Sequence, residues 1–171
     1  MPINTMLDLL VSLLSDLYGA ERKLLFAVPK MATASRNGAL SDVLRSQLVD
    51  TRQRLMRLEA CFRLLGVTVD TDSKTAMEGL LRDTTRNIRT VADPSVLDAA
   101  IIAGLQRCEH YEITAYGTAA ALAKVLGQNE VANLLESSME EEKVADRVLT
   151  ALALGGVNDA AAINSGLPEI S

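Results

Sequence analysis

Glu21, Glu112 and Glu142 each interrupt a helical stripe made mainly of Leu, Ala, Val, Cys and Ser, a setting where a core-facing helix carries no charge. The densest case is CEHYEITAYG, Cys108 to Gly117, which holds two glutamates and the chain's one histidine within four residues. Carboxylates gathered in an apolar interior lose hydration and repel one another, so they must be protonated, paired or bound to cations. Divalent metals that prefer oxygen donors meet that need, and a dinuclear iron or manganese centre in a helical bundle is built from inward-facing carboxylates, usually with histidines. Peroxide or oxygen reduction is the natural chemistry of such a centre.

The expected metal ligands are Glu21, Glu112 and Glu142, with Asp50 and Asp146 completing or orienting the set. Glu109, one position round from Cys108, borders the site or pairs at the surface. His110 lies about 200° round the helix from Glu112 and is expected to face away. Tyr18 and Tyr116, one turn from Glu21 and Glu112, either hydrogen-bond the carboxylates or simply pack. Glu140, Glu141 and Lys143 read as a solvated face. The competing reading replaces metal by Arg54, whose forked guanidinium can neutralise two carboxylates and leave a metal-free helical scaffold that mediates protein association.

The elements that position these residues follow from periodicity. Leu7, Leu10, Leu14, Leu17, Glu21, Leu24, Val28 and Met31 trace a first helix, and ASRNG, Ala34 to Gly38, has the composition of a turn. Leu40, Leu44, Gln47, Thr51, Arg54, Leu58, Phe62 and Leu65 trace a second helix, stopped by Gly66. A shorter helix through AMEGLLRDTTRNIRTV, capped by Asp72 or Ser73, fills a long crossover. Asp93 and Pro94 then open a third long helix, with the stripe Ile101, Leu105, Cys108, Glu112, Ala115, Ala119, Leu122 and Leu126. Gly127 turns the chain into a fourth, through Val131, Leu135, Ser138, Glu142, Ala145, Leu149 and Leu152, which Gly155 and Gly156 end. Beyond them, a short helix from Ala160 to Ile163 and a frayed end are equally compatible with the sequence.

Residues equally far from the turn of an antiparallel hairpin lie at one depth. Glu112 and Glu142 each lie fifteen residues from Gly127, while Glu21 and Thr51 each lie fifteen from Arg36, with Asp50 and Arg54 within a turn of Thr51. Packed as a four-helix bundle, the two hairpins therefore bring their polar residues into one central layer.

Composition sets the bounds. With 49% hydrophobic but only 3% aromatic residues over 171 positions, the core must be Leu, Ala, Val and Ile, which reads as one all-α domain. Residues 1–156 are expected to form the bundle and 157–171 a tail. A net charge of −5 with scattered basic residues argues against nucleic acid or an anionic membrane. The apolar amino-terminal stretch, broken by Asp8 and Asp16 and without a basic leader, reads as a soluble helix. Cys61 and Cys108 are expected to be reduced core thiols of a cytoplasmic protein.

DLYGAE (Asp16 to Glu21), AMEGL after the crossover, HYEITAYG (His110 to Gly117) and MEEEKVAD (Met139 to Asp146) together resemble the YciE/YciF family of bacterial ferritin-like stress proteins. The similarity runs in order from about Met6 to Leu154. It implies a ferritin-like four-helix bundle with an additional helix, a homodimer, and a link to stress responses without an established reaction or small-molecule substrate. The family's carboxylate positions fall on Glu21, Glu112, Glu142 and Asp146. In the second helix the family often has an acidic residue followed four positions later by His or Gln, whereas this chain has Asp50 and then Arg54; it also lacks the two ExxH motifs of ordinary di-iron bundles.

Overall fold

The computed structural model describes residues 3–70 and 76–164. Its long helices are α1 (Met6–Ala34), α2 (Gly38–Leu65), α4 (Pro94–Val125) and α5 (Asn129–Leu152), with the shorter α3 (Met77–Thr90) in the crossover. The expected all-α bundle is therefore observed. A wide turn at Ala153–Val157, where Gly156 has φ 128°, leads into α6 (Asn158–Asn164).

Helix starts are set by side chains that accept the otherwise unpaired first N–H groups. Thr5 forms a reciprocal capping box with Asp8, Asn37 accepts from Leu40 N, and Asp93 accepts from Ser95 N and Val96 N ahead of Pro94. The proposed α3 caps, Asp72 and Ser73, lie outside the described residues; Ala76 occupies the cap position without a side-chain bond. Gly66 and Gly127 take positive φ, the left-handed geometry that ends α2 and turns α4 into α5.

α1 packs on α2 and α4 on α5, and the hairpins close through α1 with α4 and α2 with α5. The start of α4 is fixed by buried Asp98, whose carboxylate accepts from Arg36 N at 3.1 Å and Asn37 N at 3.0 Å in the α1–α2 turn. This clasp puts the first residues of α4 beside those of α2, so the two helices run parallel, as a long crossover requires. α3 packs against α1 and α4. There Gly104 permits close approach, because a Cβ in its place would lie 2.2 Å from Thr84 Oγ1.

The core divides into two apolar clusters. One is centred on Leu24, Met31, Leu44, Ile101, Leu105 and Leu149; the other on Leu14, Leu58, Phe62, Tyr116, Ala119 and Leu135. Two details differ from the expected stripes. Leu7 is exposed, so the buried face of α1 begins at Leu10. On α4 the fully buried residue after Glu112 is Tyr116 rather than Ala115, because the helix period near 3.6 carries the core-facing line four residues forward at this turn. Val157 packs into the first cluster and α6 lies on α4.

Candidate metal centre

Between the two apolar clusters lies a polar layer supplied by all four long helices: Glu21 from α1, Thr51 and Arg54 from α2, Glu109 and Glu112 from α4, Ser138 and Glu142 from α5. All are buried. Glu21, Glu112 and Glu142 each bring one carboxylate oxygen within 4.8 Å of the others. The equal spacing about the two turns thus places them together.

Arg54 is the layer's cation. Its Nε donates to Glu21 Oε1 at 2.6 Å and also lies 2.6 Å from Glu142 Oε1. Nε carries a single hydrogen, so Glu142 Oε1 keeps the ionic contact but has no aligned hydrogen bond. Nη2 donates to Thr51 Oγ1 at 3.1 Å, and Nη1 faces Glu141 Oε2 at 4.0 Å. The Tyr116 hydroxyl, fully buried, donates to Glu21 Oε1 at 2.7 Å. Gln47 Nε2 donates to Glu109 Oε1 at 3.2 Å.

This does not exhaust the acceptors. Glu21 Oε2, Glu109 Oε2, Glu112 Oε1 and both oxygens of Glu142 are buried without a hydrogen-bond donor among the described residues. Four buried carboxyl groups face one buried guanidinium, and burial penalises every unmatched charge. Burial pushes the Glu21 carboxyl up to about 7, against the pull of Arg54, with Glu142 adding to the rise. Burial, followed by the charges of Glu21 and Glu142, raises Glu112 well above the usual carboxylate range. Glu109 is raised well above the usual carboxylate range by burial and then by the neighbouring Glu142 carboxyl. The Arg54 pKa is raised although burial alone would lower it, because Glu21, Glu142 and Glu112 favour its charge. The layer thus has oxygens to spare for protons or for one oxygen-preferring cation, and the donor set fits such a cation.

The remaining candidates fall elsewhere. Asp50 is half-buried on the flank of α2, outside the converging set. Asp146 accepts from Gln106 Nε2 at 3.1 Å and lies 3.3 Å from His110 Nε2, so its carboxylate is engaged between α4 and α5 rather than in the layer. His110 is exposed, as its angle round α4 predicts. Tyr18 donates to Glu59 rather than to a carboxylate of the layer, and packs edge-on against Phe62. Glu109 is in the layer, not at the surface.

Sequence reasoning missed Glu141. It is half-buried and forms a bidentate pair with Arg57 at 2.7 and 2.6 Å. The position of Arg57, three residues after Arg54, was the available signal, since that spacing shares a helix face.

Residues 5–162 match the family described as "Domain of unknown function (DUF892)". The chain is 38% identical to the protein YciF of Escherichia coli K12 over 159 residues, covering 92% of this chain and 96% of that one. The crystal structure of that E. coli stress protein superposes with a TM-score of 0.85, covering 91% of this chain and 99% of the other. YcfI of Rhodopseudomonas palustris, 39% identical, gives 0.83 with 86% and 94% covered. A Xanthomonas campestris protein at 19% identity gives 0.72 over 96% of this chain and all of that one, a likeness of fold alone. The family match, residues 5–162, takes in the four long helices and the polar layer, and the chain belongs to the YciF (DUF892) family.

Proposed function

We propose that this protein is a ferritin-like stress-response protein that holds one divalent iron or manganese ion in its buried carboxylate layer, beside Arg54. The observation that carries the reading is the convergence of Glu21, Glu112 and Glu142 within 4.8 Å while buried oxygens of all three lack donors. Glu109, also with an unmatched oxygen, is the fourth candidate ligand. Arg54 supports one ion rather than two, because its guanidinium already engages Oε1 of Glu21 and of Glu142. An all-oxygen donor set without histidine suits manganese(II) at least as well as iron(II). The bound ion would supply redox chemistry toward oxygen or peroxide; the chain's part is to hold it in a dry layer and to orient Glu21 through Tyr116. The stress role rests on likeness to the E. coli stress protein.

The test is equilibrium dialysis of chelator-free protein against Mn(II), with metal content by mass spectrometry. The expected result is about one ion per chain in the wild type and none in Glu112→Gln, which keeps the side-chain shape but removes the charge. The metal-free scaffold reading, favoured by the 2.6 Å contacts of Arg54 to two carboxylates, requires no uptake by either protein.

A further inference from the structure

A buried ion needs a way in. A cleft of about 420 Å³ opens between α2 and α5, lined in part by Gln47 and Asp50 from α2 and by Glu140, Glu141, Val144 and Ala145 from α5. Two of these side chains also touch the layer: Gln47 through its bond to Glu109 Oε1, and Glu141 through its 4.0 Å approach to Arg54 Nη1. Beyond Gln47 lies Glu109, whose Oε2 is buried and has no donor. Two other clefts, between α1 and α3 and between α1 and α4, are lined by neither Gln47 nor Glu141 and, like the α2–α5 cleft, by none of the layer's own residues.

We propose that the α2–α5 cleft is the entrance through which a hydrated divalent cation reaches the carboxylate layer, with Gln47 as the gate and Asp50 as the rim carboxylate that attracts it. The inference rests on the reading that the layer binds such an ion. Gln47 suits a gate because it is neutral, half-buried and tied to the layer by one side-chain bond to Glu109. A swing of that amide outward uncovers Glu109, and the arriving ion exchanges waters for carboxylate oxygens. At the rim, Glu140 is paired with Lys143 and Glu141 with Arg57, whereas Asp50 has no ion pair among the described residues. Its unmatched charge concentrates cations at the mouth.

The experiment follows Co(II) uptake by visible absorption in a stopped-flow instrument. It compares the wild type with Ala145→Trp, which fills the cleft, Asp50→Asn, which discharges the rim, and Thr118→Trp, which fills the α1–α4 cleft. The expected result is the same final spectrum and stoichiometry in all four. Uptake slows at least about tenfold in Ala145→Trp and a few-fold in Asp50→Asn at low salt, with the second difference vanishing in high salt. Thr118→Trp keeps the wild-type rate. Wild-type rates in both Ala145→Trp and Asp50→Asn overturn the route, as does equal slowing in Thr118→Trp, while normal final loading keeps the binding site intact. A wild type that takes up no Co(II) at equilibrium overturns the site and the route together. Should Ala145→Trp lose stoichiometry through a disturbed fold, the rate and salt response of Asp50→Asn decide.

Discussion

Arg54 Nε stands 2.6 Å from Glu142 Oε1 without donating a hydrogen bond to it, because its one hydrogen is given to Glu21 Oε1. A single side chain therefore holds two buried carboxylates by charge but only one by direction. That shortfall leaves buried carboxylate oxygens without a donor, and these are the oxygens the proposed cation would take up.

Removing Arg54 tests how far the layer depends on it. Arg54→Met keeps the volume and leaves the carboxylates uncompensated, so the metal-free protein should lose about 3–5 kcal/mol. For a chain of this size that corresponds to a fall in Tm of roughly 6–20 °C. Saturating Mn(II) should recover much of the loss, because binding to the native state adds stability. Circular dichroism melts with and without Mn(II) provide the check, and an unchanged Tm contradicts a compensating role for Arg54.

The pH dependence has a definite sign. Glu21, Glu109 and Glu112 have folded pKa values above the ordinary carboxyl value of 4.5. Between that value and the raised one, the folded state binds more protons than the unfolded state, so stability falls as pH rises. For Glu21 the window runs from 4.5 to about 7. Metal-free protein should melt at progressively lower temperature from pH 5 to 8, and Mn(II) should flatten the slope by replacing the protons. A Tm that rises across this window contradicts the assignment.

Tyr116→Phe removes the hydroxyl that donates to Glu21 Oε1 and leaves the ring in place. Loss of a hydrogen bond to a buried charged acceptor costs about 1.5–3 kcal/mol, read as a lower urea midpoint at unchanged m. The same bond holds the Glu21 pKa down, so its removal should move the pH window upward. Thr51→Val, which removes only a neutral partner of Arg54 Nη2, should shift no window.

The bundle and most of its polar layer were legible in the sequence because they depend on periodicity alone. Glu21, Arg54, Glu112 and Glu142 break apolar stripes at matched distances from two turns, and helix rise converts distance along the chain into depth. What could not be read depends on side-chain reach across helices. Gln47 stood on the α2 stripe with no partner legible until α4 placed Glu109 opposite it, and Glu141 looked solvated until Arg57 reached it from α2. The Asp98 clasp on the α1–α2 turn links positions 62 apart in sequence, which no local pattern signals. Asp50 and Asp146 lie one turn from layer residues, yet four residues overshoot a full circle by about 40°, enough for neighbouring helices to hold both on a flank.

The most direct measurement is calorimetric titration of Mn(II) into the metal-free protein in buffers of differing ionisation enthalpy. If protons neutralise the surplus carboxylates until a cation arrives, binding at pH ~6.5 should release about one to two protons per ion, seen as a heat that varies with the buffer. Binding with a buffer-independent heat, or no binding, contradicts the account.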